Sequence, residues 1–267
     1  MPPKSKLGQN FLRDHAAIRR IVAALGDCSA STVVEIGPGR GALTRELLQT
    51  AAHVVAVEVD PALVEALRAE FSGEKLTVVH QDVLAFDFAA AAAQAGERLA
   101  VVGNLPYYIT SPILSRLAAS HAALDRAVLM MQREVADRVC AAPGSRDYGL
   151  LSVSTQMIGP VEPLFTLPPG AFAPPPEVHS TVIRWRFAPR FAELAVDETA
   201  FSAFLRTAFA QKRKTLANNL RAAGYTPDAV SHALAQAGVP PQARAESLTA
   251  ETLAAVSKAL PAIGFSA

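Results

Sequence analysis

The stretch Val33-Val34-Glu35-Ile36-Gly37-Pro38-Gly39-Arg40-Gly41-Ala42-Leu43-Thr44 decides the fold. A β-branched run passes through a glycine turn into a helical pattern, at the carboxyl end of a strand where open α/β sheets bind cofactors. Glycine lets the chain turn tightly there and lets backbone approach a ligand closely. The spacing is Gly-x-Gly-x-Gly, whereas dinucleotide folds use Gly-x-Gly-x-x-Gly, which argues mildly against NAD. Outward from this turn, strands are expected at Thr32–Ile36, Val54–Val59, Leu76–His80, Leu99–Val102 and Ala127–Met131. Helical patterns near Leu43–Thr50, Ala62–Phe71, Ile113–Ala119 and Glu134–Ala141 alternate with them. That alternation predicts βαβ units in a mainly parallel sheet covered on both faces. A basic amphipathic helix, about Asp14 to Leu25, precedes the first strand.

Beyond Gly149 the pattern changes. Leu150–Ile158 reads as helix or strand, with helix favoured, and the proline-rich Val161–Phe187 ends in the strand-like Thr181–Phe187, suggesting a late antiparallel pair. From Glu198 the chain reads as short helices at Thr199–Ala210, Lys214–Ala223, Pro227–Ala237 and Ala250–Leu260. The boundary falls in Pro189–Val196, giving a catalytic domain over residues 1–190 and a helical domain over 191–267.

Composition excludes several classes. The 267 residues carry 25 Lys+Arg against 24 Asp+Glu, two cysteines and 51% hydrophobic residues. A disordered chain would be less apolar and more charged, and a disulfide scaffold would hold more cysteines. Cys28 and Cys140 sit in no CxxC or Cys/His cluster, so no metal site is expected. No apolar run has transmembrane length and the N-terminus lacks a secretory apolar region, so a cytoplasmic protein with no membrane partner is expected. The net charge of +1 hides a partition: residues 1–26 carry +4, 27–97 carry −7, 98–221 carry +5 and 222–267 carry −1. The acidic block is the cofactor half of the sheet, and the basic blocks would attract a phosphate backbone.

Acids recur at successive strand ends. Glu58 stands 21 positions after Gly37, where a carboxylate can accept from ribose hydroxyls, and Asp82 could accept from an adenine amino group. The fourth strand runs into Gly103-Asn104-Leu105-Pro106-Tyr107-Tyr108. An Asn-x-Pro-Tyr turn suits methylation of an exocyclic amine on a flat ring. The adenine N6 lone pair is delocalised into the ring, so the nitrogen is a poor nucleophile until acceptors hold its hydrogens. The Asn104 side-chain oxygen and the Leu105 carbonyl can be those acceptors. Pro106 stiffens the turn, and Tyr107 offers a stacking face.

Gln9-Asn10-Phe11-Leu12, the Glu35 to Thr44 segment, Glu58, Asp82, Asn104 to Tyr107 and Phe172-Ala173-Pro174-Pro175-Pro176-Glu177-Val178-His179-Ser180 occur in an order that resembles the ribosomal RNA adenine dimethylases, most closely the KsgA-type branch acting on 16S RNA. The agreement runs from about Lys6 to Leu260. The resemblance implies a Rossmann-like class I S-adenosylmethionine-dependent methyltransferase, with a mainly parallel seven-stranded sheet and a small C-terminal all-α domain. It implies that Asn10, Leu12, Gly37, Gly39, Glu58, Asp82 and Asn104 line the S-adenosylmethionine site. Catalysis would rest on Asn104, Leu105, Pro106 and Tyr107, with Phe172 closing over the base opposite Tyr107. The segment Phe209 to Leu220 is similar to the basic helix start of the 16S enzymes, and Arg244-Ala245-Glu246-Ser247-Leu248 to their closing motif. Lys212, Arg213, Lys214 and Arg221 are the implied RNA contacts, although Lys212 and Ala217 depart from residues common there.

The implied activity is dimethylation of N6 of two adjacent adenosines in the 3′-terminal hairpin loop of 16S rRNA, by a monomer acting on the assembling 30S subunit. Two other classes stay open: a non-catalytic RNA-binding or assembly factor of the same fold, and a 23S adenine methylase of the resistance type. A DNA adenine methylase would more often carry Asp-Pro-Pro-Tyr and a separate reading domain, and neither is present.

Overall fold

The computed structural model describes residues 10–261, so Lys6, Leu7 and Gln9, where the first motif begins, lie outside the described residues. The chain forms two compact units. One runs to Ala136 and resumes over Pro160–Ala188; the other comprises Asp137–Gly159 and the residues from Pro189 onward.

The first unit contains β1 (Phe11–Leu12), α1 (His15–Ala24), β2 (Thr32–Ile36), α2 (Ala42–Thr50), β3 (His53–Glu58), α3 (Pro61–Glu70), β4 (Leu76–His80), α4 (Phe88–Ala95), β5 (Leu99–Asn104), α5 (Thr110–Ala119) and β6 (Leu124–Gln132). After an excursion through the other unit come β7 (Val161–Leu167), β8 (Phe172–Ala173) and β9 (Ser180–Arg186). Seven strands order as β4-β3-β2-β5-β6-β9-β7. The first five are parallel to their neighbours, and β9 pairs antiparallel with both β6 and β7. This is the Rossmann-like class I methyltransferase sheet, and the expected late antiparallel pair is its closing edge. The strand order reverses direction between β2 and β5, which opens a crevice at their carboxyl ends.

Valine-rich strands buried on both faces drive the sheet. Val33, Val54, Ala100, Val102, Val128 and Val182 pack against Ile18 and Ile21 of α1 and Leu43 and Leu47 of α2. The alternate residues Val34, Val101, Leu129 and Ile183 are equally buried. Each fully buried Val, Leu or Ile among them contributes about 1.5–3 kcal/mol of transfer free energy. Helix starts follow side-chain chemistry: Asp14 accepts from the N–H groups of Ala16 and Ala17, and Asp60 caps α3 just before Pro61.

The second unit holds α7 (Leu150–Ile158), α8 (Glu198–Ala208), α9 (Leu216–Ala222), α10 (Pro227–Gln236) and α11 (Ala250–Ala259), while α6 (Arg133–Val139) crosses the division. Asp197, Thr215, Thr226 and Thr249 each cap a helix by accepting the N–H three residues on. Its core joins Phe201, Phe204, Leu205, Leu216 and Leu220 to Tyr148, Val153 and Met157. Residues 137–159 therefore pack with the C-terminal helices, unlike the continuous 1–190 body expected from the sequence, because α7 presents its apolar face to that core. The helix expected from Lys214 starts at Leu216, since the Thr215 hydroxyl caps it.

Candidate active site

A cavity of about 240 Å³ opens in the first unit where the parallel strands end. Asn10, Leu12, Gly37, Gly39, Glu58, Asp82, Asn104, Leu105, Pro106 and Tyr107 all line it. Gly37, Glu58, Asp82 and Asn104 meet there because every parallel strand delivers its carboxyl end to one edge of the sheet, and the separate β1–β8 pair adds Leu12 and Ala173.

The turn after β2 is shaped by backbone conformation. Gly37, Gly39 and Gly41 have φ of 63°, 57° and 74°, a region side chains rarely adopt. A Cβ on Gly37 would project into open space, whereas one on Gly39 would come within 2.9 Å of the Phe11 ring. The turn thus has a concave face at Gly37 and a close-packed wall at Gly39. Glu58 ends β3 and is held by backbone donors: Gly39 N–H reaches Oε2 at 3.1 Å, and Val59 and Asp60 N–H reach Oε1 at 2.9 and 3.0 Å. With about four acceptor positions on a carboxylate, Oε2 retains capacity for a ligand hydroxyl. Asp82 is exposed, with Oδ1 accepting Leu84 N–H at 2.9 Å.

At the end of β5, the Leu105 N–H continues the ladder to the Met130 carbonyl at 2.9 Å, which fixes where the chain bends. Asn104 Nδ2 donates to the Asn10 carbonyl at 2.9 Å, so the amide is oriented with Oδ1 as its remaining acceptor. The Pro106 carbonyl is engaged by Ile109 N–H at 3.2 Å and by the Thr110 hydroxyl at 3.1 Å, leaving the Leu105 carbonyl as the acceptor at the bend. The Tyr107 hydroxyl bonds the buried Ser180 Oγ at 2.6 Å, and burial pushes its pKa up.

Phe172, expected to close over the base, stands apart from the cavity lining. Its ring is 1% exposed, packed in the core with Leu12, Ile18 and Leu167, and it does not line the cavity. In the β1–β8 pairing Leu12 stands opposite Phe172, and the neighbouring Ala173 supplies the cavity wall. Burial of the Phe172 ring in this core holds it away from the cavity.

Sequence reasoning assigned no site role to Glu35, Arg13, Arg40 or Tyr108, all of which line the cavity. Glu35 is 1% exposed within β2, and its Oε2 accepts the Thr44 hydroxyl at 2.6 Å. Burial pushes its pKa up to about 7, the Thr44 bond opposes this, and the Glu58 charge adds to it. A carboxylate in the middle of an apolar strand was the available signal. Lys212, Arg213, Lys214 and Arg221 are exposed in the second unit. Buried Asn219 donates to the Ala208 and Gln211 carbonyls at 2.7 and 3.4 Å, which holds the turn carrying the three consecutive basic residues.

The donor set fits S-adenosylmethionine. A glycine cradle, a strand-end carboxylate for hydroxyls, a second carboxylate for an amino group and Asn104 beside them converge on one cavity. Among the described residues no His, Cys, Asp and Glu cluster could hold a metal ion.

Comparison with known proteins agrees with this geometry. The ribosomal RNA adenine dimethylase family model matches residues 3–261. The ribosomal RNA small subunit methyltransferase A of Acidobacterium capsulatum is 58% identical over 258 residues, covering 96% of this chain and 91% of that protein. The protein of that name from Koribacter versatilis is 48% identical over 263 residues, with coverage of 94% and 92%. Among solved structures, the 23S rRNA methyltransferase ErmE superposes with a TM-score of 0.72 at 29% identity, covering 94% of this chain and 99% of that one. A dimethyladenosine transferase from Plasmodium falciparum gives 0.75 at 22% identity, with coverage of 92% and 95%, a likeness of fold. By sequence along almost its whole length, the chain belongs to the ribosomal RNA adenine dimethylase family.

Proposed function

We propose that the protein dimethylates N6 of two adjacent adenosines in the 3′-terminal hairpin loop of 16S rRNA. The observation that carries the reading is the Asn104 amide, clamped through Nδ2 to the Asn10 carbonyl, in a cavity that Leu105 also lines. Asn104 Oδ1 and the Leu105 carbonyl hold the amine hydrogens, draw the nitrogen lone pair out of conjugation and aim it. Bound S-adenosylmethionine supplies an electrophilic methyl group, with Gly37, Gly39, Glu58 and Asp82 as the residues that would hold it. Tyr107, braced by Ser180, gives the base a face to rest on. No general base is needed, because an alkylated aromatic amine loses its proton readily, so catalysis is mostly positioning. Phe172 supports this site from the core beneath the β1–β8 wall rather than touching the base.

The two relatives named as small-subunit enzymes share more identity with the chain, 58% and 48%, than the 23S enzyme does, 29%, which supports a 16S target. A loop substrate fits the chemistry, since unpaired bases are cheap to splay into a pocket. Lys212, Arg213, Lys214 and Arg221 are the proposed phosphate contacts of a helical RNA-binding part. Action on the assembling 30S particle in the cytoplasm, as a monomer, belongs to the same proposal. The test is incubation with labelled S-adenosylmethionine and undermethylated 30S particles, followed by mapping. Label in the two loop adenosines is expected. Label in 23S RNA, or none from folded protein, would overturn the reading.

A further inference from the structure

Only three large apolar side chains are exposed among the described residues: Val59, Tyr108 and Val178, at 46%, 60% and 43%. All three occupy one edge of one sheet. Val59 follows the last residue of β3, Tyr108 lies just beyond the end of β5, and Val178 precedes β9, whose first residue Ser180 pairs with Gln132 at the end of β6. This is the edge where the cavity opens, and Val59 and Tyr108 line it. Single exposed apolar residues need no explanation, but their gathering at one end of the sheet, two of them on the cavity itself, does.

The two consecutive tyrosines are treated differently. Tyr107 is half-buried and tethered through its hydroxyl to Ser180, whereas Tyr108 is exposed at the mouth. A ring in that position offers a free face to whatever enters beside the residue held at Asn104. Arg13 and Arg40, both exposed, line the same cavity, and the Arg40 guanidinium sits 4.7 Å from the Phe11 ring centroid, which holds it near the opening. An exposed aromatic flanked by guanidinium groups matches a nucleobase with its phosphates, because every base has a stackable face.

We propose that Tyr108 is an RNA-positioning residue: its ring stacks on the nucleobase next to the adenosine held at Asn104, in single-stranded RNA, while Arg13 and Arg40 meet the adjoining phosphates. This rests on the adenosine-methylating reading above and deepens it. Because stacking accepts any base, the same ring can meet whichever nucleotide flanks either of the two adjacent targets. The residue positions RNA and leaves the methyl-accepting geometry at Asn104 alone.

The experiment compares wild-type protein with Tyr108→Ala, Tyr108→Phe and Tyr108→Trp on undermethylated 30S particles, with S-adenosylmethionine binding measured calorimetrically. The expected result is a rise of about tenfold in KM for the particles in Tyr108→Ala, the size of one lost base stack. The kcat should stay within about twofold, cofactor affinity should be unchanged, and KM should be restored by Phe and Trp. An unchanged KM in Tyr108→Ala, a loss confined to kcat, or a Phe variant as impaired as Ala would overturn the proposal. Wild-type activity is the separate control: if wild-type protein fails to label the particles, the adenosine-methylating reading itself fails.

Discussion

Glu35→Gln isolates the cost of a buried carboxyl. Glu35 is 1% exposed between two parallel strands, and its pKa rises from 4.5 to about 7, first through burial. The folded protein therefore holds this proton more tightly than the unfolded chain does. Its contribution is fully present below pH 4.5 and is lost as pH rises toward 7, after which it stays constant. A shift of that size corresponds to about 3 kcal/mol at full ionisation. Glutamine keeps an oxygen for the Thr44 hydroxyl but cannot ionise, and its NH₂ group adds a pH-independent offset. The readout is the difference in unfolding free energy between variant and wild type, from urea titrations at pH 4.5, 6 and 8, which cancels the other carboxylates. The variant should gain on wild type by about 3 kcal/mol between the two ends of that range. A difference constant to within about 0.5 kcal/mol would refute the argument that burial holds Glu35 protonated.

Three further outcomes follow from the same geometry. Asn104→Ala should retain S-adenosylmethionine binding by calorimetry yet lose about 10²-fold or more of kcat, the scale of one preorganised polar contact, and normal turnover would remove Asn104 from the acceptor role. Lys212→Ala with Lys214→Ala should flatten the log–log salt dependence of RNA binding by about 1.4, two single-strand phosphate contacts, and an unchanged slope would dismiss this turn as a phosphate site. Gly103→Ala puts a Cβ 2.8 Å from the Ile36 carbonyl oxygen and should cost about 1–3 kcal/mol in urea unfolding. Wild-type stability in that variant would mean that β2 and β5 part more easily than their close approach implies.

What could be read from the sequence followed from signal strength. The strands at Thr32–Ile36 and Leu76–His80 were legible because short β-branched runs between turn residues have few other readings. The strand-end acids could be placed on one cavity because parallel strands share a direction. Helix α4 was missed: its alanine run has no periodicity, and its start depends on Asp87 accepting Ala90 N–H. The β1–β8 pair was illegible, since two residues on each strand carry no pattern and their partners lie 160 positions apart, and with it went the orientation of Phe172. The helix at Leu150–Ile158 could be recognised but not assigned to a core, because an apolar face does not say which other face it meets.

The site separates rigid from yielding parts in a way that suits its chemistry. Methyl transfer to a weakly nucleophilic amine tolerates little misplacement, and the groups meant to aim the amine and hold the methyl donor are each fixed from behind by further bonds: Asn104 by the Asn10 carbonyl, the bend by Met130 and Tyr107 by Ser180 on the amine's side, and Glu58 by three backbone N–H groups on the donor's. RNA has the opposite requirement, since a flexible loop must enter, present one adenosine and then the next. The groups suited to receive it, Tyr108, Arg13 and Arg40, are exposed at the cavity mouth. Immobilising Tyr108 as Tyr107 is immobilised would sharpen one register of the loop at the expense of the other. On the proposed reading, with two neighbouring adenosines modified in a single site, an exposed ring at position 108 suits both registers.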